Sequence, residues 1–217
     1  MRVLTKALCA GLFVVMAACG PLYESNLGSK LAEAGQQMTG IGADPKPAVP
    51  VIAPEVANAA PGDVLLVKII ARDAVAPMTK VGQNGDAVTW ISPGKVTMTF
   101  EDGILVATRG LGDDLMGADP VGVRAALDAG GGTATRRQSF LSSEDQIFTR
   151  EMTCTIARQG PETVQTISGP RDAVKFFEDC KGPLLEFRNT YWMAGGGILR
   201  SRQAVSAGEG FIQVDQL

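Results

Sequence analysis

From about residue 63 to its end, the chain consists of short segments in which apolar and polar residues alternate, separated by turns rich in glycine. In residues 96–100, Val, Met and Phe alternate with two Thr residues, as expected for a strand that buries one face. The Pro-Gly and Asp-Gly pairs at residues 93–94 and 102–103 flank this segment and supply the backbone angles that tight hairpins need. The pattern therefore predicts a mostly β fold, either an antiparallel sandwich or an incompletely closed barrel, with one or two short helices.

The same pattern predicts where the helix and the strands begin and end. A helix is predicted over residues 119–129, where Asp119 caps the first turn, Pro120 lies in that turn and the glycines at residues 130–132 end the helix. The predicted strands cover residues 64–71, 87–92, 95–101, 104–109, 134–141, 146–158, 162–167, 184–193, 198–205 and 211–214.

The beginning of the chain has the layout of a bacterial lipoprotein signal. Arg2 and Lys6 precede a mostly apolar run of about a dozen residues, which is too short to span about 30 Å of hydrocarbon. The run ends in Met-Ala-Ala directly before Cys19 and Gly20, which resembles the lipobox that is cleaved before a cysteine. The pattern predicts a signal peptide at residues 1–18 and a lipid on Cys19. The alternative is an ordinary secretory signal that ends beside a cysteine.

Two further segments precede the β-rich part. Leu, Ala and Met residues recur every three to five positions over residues 22–38, which predicts a short amphipathic helix. Residues 39–62 contain five prolines, a composition that favours extended conformations and predicts a tether. Gly20 replaces the Asp that favours retention in the inner membrane. We therefore expect residues 19–62 to hold a domain of residues 63–217 at the periplasmic face of the outer membrane.

The chain has four cysteines, of which Cys9 lies in the predicted signal and Cys19 carries the predicted lipid. The remaining two, Cys154 and Cys180, are expected to form a disulfide in an oxidising compartment. Closing a loop of this size removes roughly 3 to 4 kcal/mol of conformational freedom from the unfolded chain. Two separate buried thiols are the alternative.

Composition limits the chemistry that the chain can perform. The sequence contains no histidine, which removes the Ser-His-Asp and Cys-His catalytic arrangements and the usual zinc sites. Its net charge of -3 gives no electrostatic reason to bind nucleic acid. We therefore predict that the protein is not an enzyme, and we expect no catalytic residues, metal site, cofactor or nucleic-acid partner.

Two groups of motifs go beyond these general patterns. The first joins Thr-Trp-Ile-Ser at residues 89–92 to Thr-Arg-Gly-Leu-Gly-Asp-Asp-Leu at residues 108–115. The second joins Cys180 to Phe-Arg-Asn-Thr-Tyr-Trp at residues 187–192 and Arg-Ser-Arg-Gln at residues 200–203. In this order, and together with the lipobox, the motifs resemble the YjbF/GfcB family of lipoproteins. The resemblance implies a role in exopolysaccharide or group 4 capsule production alongside other export proteins, and it brings no established catalytic residues.

Polar and aromatic residues of these motifs are candidates for polysaccharide binding. One hypothesis is a polar groove in which Tyr191 or Trp192 stacks on a sugar ring while nearby Arg and Gln side chains hydrogen-bond its hydroxyl or carboxylate groups. The alternatives are structural, because tryptophans in β patterns usually pack in a core and Arg109 can pair with a nearby aspartate. The candidate binding residues are Trp90, Arg109, Tyr191, Trp192, Arg200, Arg202 and Gln203.

Three functions are consistent with these features. The first is a non-catalytic binding or scaffold component of exopolysaccharide or capsule production or export. Its lipid would hold it at the outer membrane, in contact with polysaccharide or with other export proteins. The second is a carboxylate-based polysaccharide-modifying enzyme, which requires a cleft lined by separated acidic residues. The third is a periplasmic carrier of a lipid-like ligand, which requires an apolar concave interior. We predict the first.

Overall fold

The computed structural model describes residues 62–142, 144–166 and 168–216. The predicted signal peptide, the lipid-bearing Cys19, the helix at residues 22–38 and the proline-rich segment up to residue 61 lie outside this part of the chain. Those expectations therefore stay predictions.

Strands make up most of the described chain, which confirms the predicted mostly β class. In this part of the chain, the helical elements are a short 3-10 helix at Ile70–Arg72 and one α-helix, α1, at Val121–Asp128. Within the described ranges, neither is long and apolar enough to cross a membrane. The strands are β1 (Val64–Ile69), β2 (Ala74–Asn84), β3 (Ala87–Ile91), β4 (Thr97–Glu101), β5 (Ile104–Arg109), β6 (Leu115–Ala118), β7 (Gly131–Leu141), β8 (Ile147–Thr166), β9 (Gly169–Lys181), β10 (Glu186–Ala194), β11 (Gly197–Ser206) and β12 (Gly210–Gln216).

The twelve strands form one sheet in the order β5-β4-β3-β2-β1-β12-β11-β10-β9-β8-β7-β6. Neighbours in this order are also neighbours along the chain, except that β1 pairs with β12 in antiparallel register, with Leu65 opposite Gln216 and Ile69 opposite Ile212. Two meanders are thus joined through the first and last strands, and the sheet curls into a nearly closed antiparallel barrel. The predicted incompletely closed barrel is confirmed, and it is the form that the chain adopts rather than the sandwich.

The two edge strands, β5 and β6, meet through side chains at the seam of the barrel. Thr108 Oγ1 accepts a hydrogen bond from the Leu115 N–H at 3.0 Å. Arg109 donates from Nη1 to the Leu115 carbonyl at 3.0 Å and from Nη2 to the Met116 carbonyl at 3.3 Å. Unpaired backbone groups on a sheet edge favour association with other chains. Side chains of β5 therefore supply hydrogen-bond partners for some of the backbone groups of β6 that face the seam.

Side chains pointing into the barrel form two large buried clusters. One is formed mainly by β1 to β5 and includes Met78 and Phe100. The other is formed mainly by α1 and strands β7 to β10 and includes Val123 and Phe176. Burial of apolar surface of this kind is the main favourable term in folding, so these clusters hold the curled sheet in shape.

Cys154 on β8 and Cys180 on β9 form a disulfide, which confirms the predicted pairing. The two residues lie directly opposite each other in the antiparallel ladder, with their Cα atoms 4.0 Å apart. Both are buried in the cluster that contains Val123 of α1. The bond therefore links two neighbouring strands inside the core.

The ends of β8 and β9 extend beyond the part of the sheet that pairs with β10. Residues 162–166 and 168–173 form this extension, which we call the hairpin arm. Val164 of the arm is buried together with Leu199 of β11, and Trp192 of β10 packs beside them. The arm therefore covers part of the outer face of the sheet.

Some elements differ from the sequence prediction. Strands β2, β6 and β9 are not predicted. Strand β8 continues through Gly160 and Pro161, where the prediction has a break between two separate strands. A shift of register between Arg158 and Gly160 accommodates this irregular part of β8. The predicted helix is confirmed, although it begins at Val121, whose N–H donates to Oδ1 of Asp119 at 3.1 Å.

Candidate functional site

One end of the barrel is closed by contacts between three turns. The turn after β5 buries Leu111 in the core. Arg72 of the 3-10 helix donates to the Leu111 carbonyl at 2.7 Å and forms an ion pair with Glu209 of the β11–β12 turn. Asp113 Oδ2 accepts a hydrogen bond from the Gly208 N–H at 3.1 Å. We call this the closed end.

The opposite end, which we call the open end, holds a pocket of about 420 Å³. The β2–β3, β4–β5 and β10–β11 turns line it, because an up-and-down meander places these turns at the same end of the barrel. The volume lies within the range of about 300–1,000 Å³ that small-molecule sites occupy. Six apolar side chains form the walls of the pocket: Leu65, Val88, Trp90, Phe100, Ile198 and Val214.

Polar groups surround these apolar walls. Asp86 in the β2–β3 turn and Asp102 in the β4–β5 turn are exposed, and neither has an ion-pair partner among the described residues. Ser201 lies deeper, at 1% exposure, and its Oγ accepts a hydrogen bond from Nε2 of Gln203 at 2.9 Å. The polar residues that line the pocket are Gln83, Asp86, Asp102, Arg124, Ser201 and Gln216.

Helix α1 fixes the position of two of the turns through Arg124. Its Nη2 donates to the Gly196 carbonyl at 2.7 Å and its Nη1 donates to the Asp102 carbonyl at 3.4 Å. The same guanidinium forms two hydrogen bonds to the carboxylate of Asp128, one turn further along the helix. Arg124 therefore joins the β4–β5 and β10–β11 turns, while Asp128 compensates its charge.

The β4–β5 turn also approaches β11 closely. A Cβ atom at Gly103 would lie 3.0 Å from Cβ of Ile198, which is closer than real Cβ atoms normally approach. The φ angle of Gly103 is 82°, a left-handed conformation that side chains disfavour. Glycine is thus required at this position for both reasons, and it allows the pocket to have this shape.

A buried polar network lies inside the barrel, centred on the ion pair between Arg136 of β7 and Glu178 of β9. Both side chains have 0% exposure, and Arg136 Nη1 lies 3.2 Å from Glu178 Oε1. Tyr191 OH and Asn189 Nδ2 each donate a hydrogen bond of 2.7 Å to Glu178 Oε2. An ion pair buried this deeply is stable only when such additional hydrogen bonds compensate the lost hydration.

Burial controls the protonation of this network. Loss of hydration, together with the Glu178 carboxylate, raises the pKa of Tyr191 well above its ordinary value. Burial lowers the pKa of Arg136, but the Glu178 and Tyr191 side chains outweigh it, so that this pKa lies above its ordinary value. Tyr191 is therefore a neutral donor and Arg136 a cation at physiological pH.

The same network satisfies the free edge of β5 and ends at the pocket. Gln203 Oε1 accepts the Leu105 N–H at 2.8 Å, and Arg136 Nη2 donates to the Leu105 carbonyl at 3.3 Å. Gln203 Nε2 donates to the Gly103 carbonyl and to Ser201 Oγ, both at 2.9 Å. Because Gly103 and Ser201 line the pocket, the network holds one wall of the pocket in place.

The residues predicted to bind polysaccharide are divided between the two faces of the sheet. Tyr191 and Gln203 point into the barrel and are completely buried. Trp192, Arg200 and Arg202 lie on the outer face, because successive residues of a strand point to opposite faces. The two groups therefore do not form the single groove of the hypothesis. Of the predicted residues, Trp90 lines the pocket.

On the outer face, Trp192 and Arg200 contact the hairpin arm. Trp192 Nε1 donates to Glu162 Oε1 at 3.0 Å, and Arg200 Nη2 donates to the Gln165 carbonyl at 2.8 Å. Hydrogen bonds from Lys175 and Trp192 hold the pKa of the Glu162 carboxyl below its ordinary value. Through these contacts, Trp192 and Arg200 hold the hairpin arm against the sheet.

Arg202 and Arg109 also have structural contacts. The guanidinium of Arg202 lies 3.8 Å from the ring centroid of Phe211, a cation–π arrangement. Arg109 donates to backbone carbonyls at the seam. The nearby Asp114 instead accepts hydrogen bonds from the backbone N–H groups of residues 110–111.

The polar residues around the pocket are not predicted from the sequence. Asp86, Asp102 and Arg124 belong to three segments that approach each other only after the sheet has closed. The Asp-Gly pair at residues 102–103 does indicate a tight turn. It carries no information about what that turn faces.

The described residues contain one group of side chains with metal-ligating atoms close together, Cys154, Glu178 and Cys180. Cys180 Sγ lies 3.3 Å from Glu178 Oε1. Both sulfur atoms belong to the disulfide and offer no thiolate to a metal ion. In this oxidised form the group is part of the buried network.

A solved structure with a similar fold is the hypothetical lipoprotein YmcC from Escherichia coli (K12), with a TM-score of 0.61. The two sequences are 19% identical over 71% of this chain and 85% of that chain, so the likeness shows the fold alone. An exported protein with a YmcC-like fold from Bacteroides fragilis is 12% identical over 71% of this chain and 93% of that chain. Its TM-score of 0.26 is too low to carry an argument.

No curated protein matches the chain. Residues 41–217 match the protein family described as "Group 4 capsule polysaccharide lipoprotein gfcB, YjbF". This match covers most of the chain, including the strands β1 to β12, the pocket and the disulfide. The chain therefore belongs to the YjbF family of group 4 capsule polysaccharide lipoproteins.

Proposed function

We propose that the protein is a non-catalytic binding component of exopolysaccharide or capsule production or export, anchored by a lipid on Cys19 at the periplasmic face of the outer membrane. Membership of a capsule lipoprotein family and the lipobox sequence support the cellular role and the anchor. The observation that carries the binding role is the pocket at the open end of the barrel.

The pocket combines the two kinds of surface that a sugar presents. A pyranose ring has apolar C–H faces and polar hydroxyl edges. Trp90 and Phe100 provide apolar aromatic surface in the walls, while Asp86 and Gln83 provide polar groups at the rim. A sugar unit of the polymer can therefore lie with a ring face on the walls and its hydroxyl groups at the rim.

The pocket supports binding better than catalysis. Asp86 and Asp102 are separated acidic residues of the kind that the enzyme alternative requires. The general acid of a glycosidase, however, is kept protonated at neutral pH by an apolar, desolvated environment. Both aspartates are exposed at the rim, outside the apolar walls. A carboxylate in this position can accept hydrogen bonds from a ligand.

The carrier alternative receives less support. A carrier for an acyl chain needs an apolar interior that is open to the ligand. Side chains such as Met78, Met98 and Leu105 fill the interior of this barrel and are almost completely buried. The pocket that remains has a polar rim.

The test is a deletion strain complemented with the wild-type protein or with Cys19→Ala. We expect the deletion to reduce surface polysaccharide and the wild-type protein to restore it. The Cys19→Ala protein should leave the outer-membrane fraction and fail to restore polymer, because the acyl chains supply the attachment. Surface polysaccharide is quantified on intact cells, and the protein is located by membrane fractionation.

A matched control is Cys9→Ala, which removes the cysteine inside the predicted signal peptide and should behave like the wild-type protein. Unchanged polymer in the deletion strain would contradict the role in polysaccharide production. A Cys19→Ala protein that stays in the outer membrane would contradict the anchor.

A further inference from the structure

We infer that the open-end pocket takes an uncharged or amino-substituted sugar unit and disfavours acidic sugars such as uronic acids, an inference that rests on the proposed function and names the ligand class of the same site.

The charges around the pocket are the first basis for this inference. Asp86 and Asp102 come from different turns and have no ion-pair partner in the described part of the chain. Arg124 is the one cationic side chain that lines the pocket within the described residues. Its guanidinium already binds the Asp128 carboxylate and two backbone carbonyls. The pocket therefore presents net negative charge to a ligand.

A buried hydroxyl that lines the pocket is the second basis, and it supports binding of a sugar rather than a choice between neutral and acidic sugars. Ser201 lines the pocket at 1% exposure, and its Oγ accepts a hydrogen bond from Gln203. Its own proton has no acceptor among the described residues. A serine hydroxyl carries one donor in addition to its acceptor lone pairs. A sugar oxygen can accept from it, whether that oxygen belongs to a hydroxyl, the ring or a carboxylate, so the discrimination between sugars comes from the charges at the rim.

The aromatic walls make this a site for a ring rather than for a free cation. Trp90 and Phe100 line the pocket at 7% and 4% exposure, so each presents a small part of its apolar surface to a ligand. A sugar ring placed against them leaves its substituents at the rim, close to the two aspartates. There an amino group or a hydroxyl donates to a carboxylate, whereas a uronate carboxylate is repelled.

The experiment measures binding of three defined tetrasaccharides to the purified lipidated protein in detergent by calorimetry. The probes are a glucosamine tetramer, its N-acetylated counterpart and a galacturonic acid tetramer. We expect the glucosamine tetramer to bind most tightly and the galacturonic acid tetramer most weakly. The difference should shrink in about 0.5 M salt, because exposed charges are screened.

Neutralising the rim supplies the decisive comparison. The Asp86→Asn/Asp102→Asn variant should bind the glucosamine tetramer on the order of fivefold more weakly, since two exposed charge interactions are removed. Its affinity for the galacturonic acid tetramer should rise. The matched control is Glu144→Gln, which removes an exposed carboxylate from the β7–β8 turn, outside the pocket lining. This control should leave all three affinities unchanged.

Three results would overturn the inference: tightest binding of the galacturonic acid tetramer by the wild-type protein, no effect of the two aspartate substitutions, or no binding of any probe. Each is distinguishable from a failure of the proposed role in polysaccharide production, because that role fails if the deletion strain keeps its surface polysaccharide. A deletion that loses polymer, combined with a pocket that binds no probe, would retain the role in polysaccharide production and refute the assigned ligand class.

Discussion

Replacing Arg136 with Met should strongly destabilise the fold, because the substitution leaves the Glu178 carboxylate buried without its cation. In the wild-type protein Arg136 Nη1 lies 3.2 and 3.4 Å from the two carboxylate oxygens of Glu178, and Nη2 also binds the Leu105 carbonyl. Methionine has a similar length and fills most of the space, so loss of packing contributes little. The Tyr191 and Asn189 donors remain on the carboxylate.

Removing one partner of a buried ion pair lowers the free energy of unfolding by about 3–5 kcal/mol. A domain of this kind has a total stability of about 5–15 kcal/mol, so the loss is a large fraction of the total. The double variant Arg136→Met/Glu178→Gln should recover at least half of the loss. Its neutral glutamine amide keeps an oxygen that can accept from Tyr191 and Asn189, and it removes the uncompensated charge.

The assay is urea unfolding at pH 7 with the disulfide intact, followed by circular dichroism and tryptophan fluorescence. The neighbouring Arg137 provides a matched control, because its ion pair with Glu151 is exposed on the outer face. Arg137→Met should change the free energy of unfolding by no more than about 1 kcal/mol. An Arg136→Met variant as mild as Arg137→Met, or a double variant less stable than the single variant, would contradict a stabilising role of the buried ion pair.

Three further predictions concern other parts of the fold. The pKa of Tyr191 is raised in the folded state, so the folded protein retains the phenol proton at pH values where the unfolded chain loses it. The free energy of unfolding should therefore fall above about pH 10, by about 1.4 kcal/mol per pH unit. In alkaline urea unfolding curves, Tyr191→Phe should lack this component of the decrease. Reduction of the Cys154–Cys180 disulfide should lower the free energy of unfolding by about 3–4 kcal/mol, measured by urea unfolding with and without reductant, and an unchanged midpoint would contradict it. Arg109→Ala should remove about 1–2 kcal/mol and accelerate amide exchange in β6, whereas unchanged exchange there would show that the seam does not depend on this side chain.

The sequence predicts those parts of the fold that depend on local pattern. Alternation in residues 96–100 and the turns on either side of it predict β4 and its two hairpins correctly. The two cysteines predict the disulfide, because an oxidising compartment leaves them one simple pairing. The motif order predicts the family.

Elements that depend on distant partners are not predicted. Strand β9 has the composition of an exposed segment, with charged residues such as Asp172 and Lys175 along its length. Its Glu178 is nevertheless buried, because Arg136, 42 positions earlier in the chain, supplies the opposite charge. No local pattern reveals such a partner.

The candidate site shows the same limit. Trp90 is predicted as a binding residue and lines the pocket. Tyr191 and Gln203 carry the polar groups expected of a binding site, but the sheet directs both inward, where Tyr191 donates to Glu178 and Gln203 accepts from the edge of β5. Asp86 and Asp102 meet at the rim only because the closed meander places their turns at one end. The sequence gives the type of each residue. The face of the sheet and the end of the barrel at which that residue lies are determined only when the sheet closes into a barrel.

We propose that the open-end pocket binds the polysaccharide, and the two tryptophans of the chain allow a direct test. Trp90 lines the pocket, whereas Trp192 lies on the outer face beside the hairpin arm. The measurement is the titration of ¹⁵N-labelled protein with fragments of the surface polymer from the producing strain, with both indole N–H resonances recorded by NMR. We predict that the Trp90 indole resonance shifts in a saturable manner while the Trp192 resonance stays in place. A shift of Trp192 alone would assign binding to the outer face, and no shift of either resonance would contradict direct binding of the polymer.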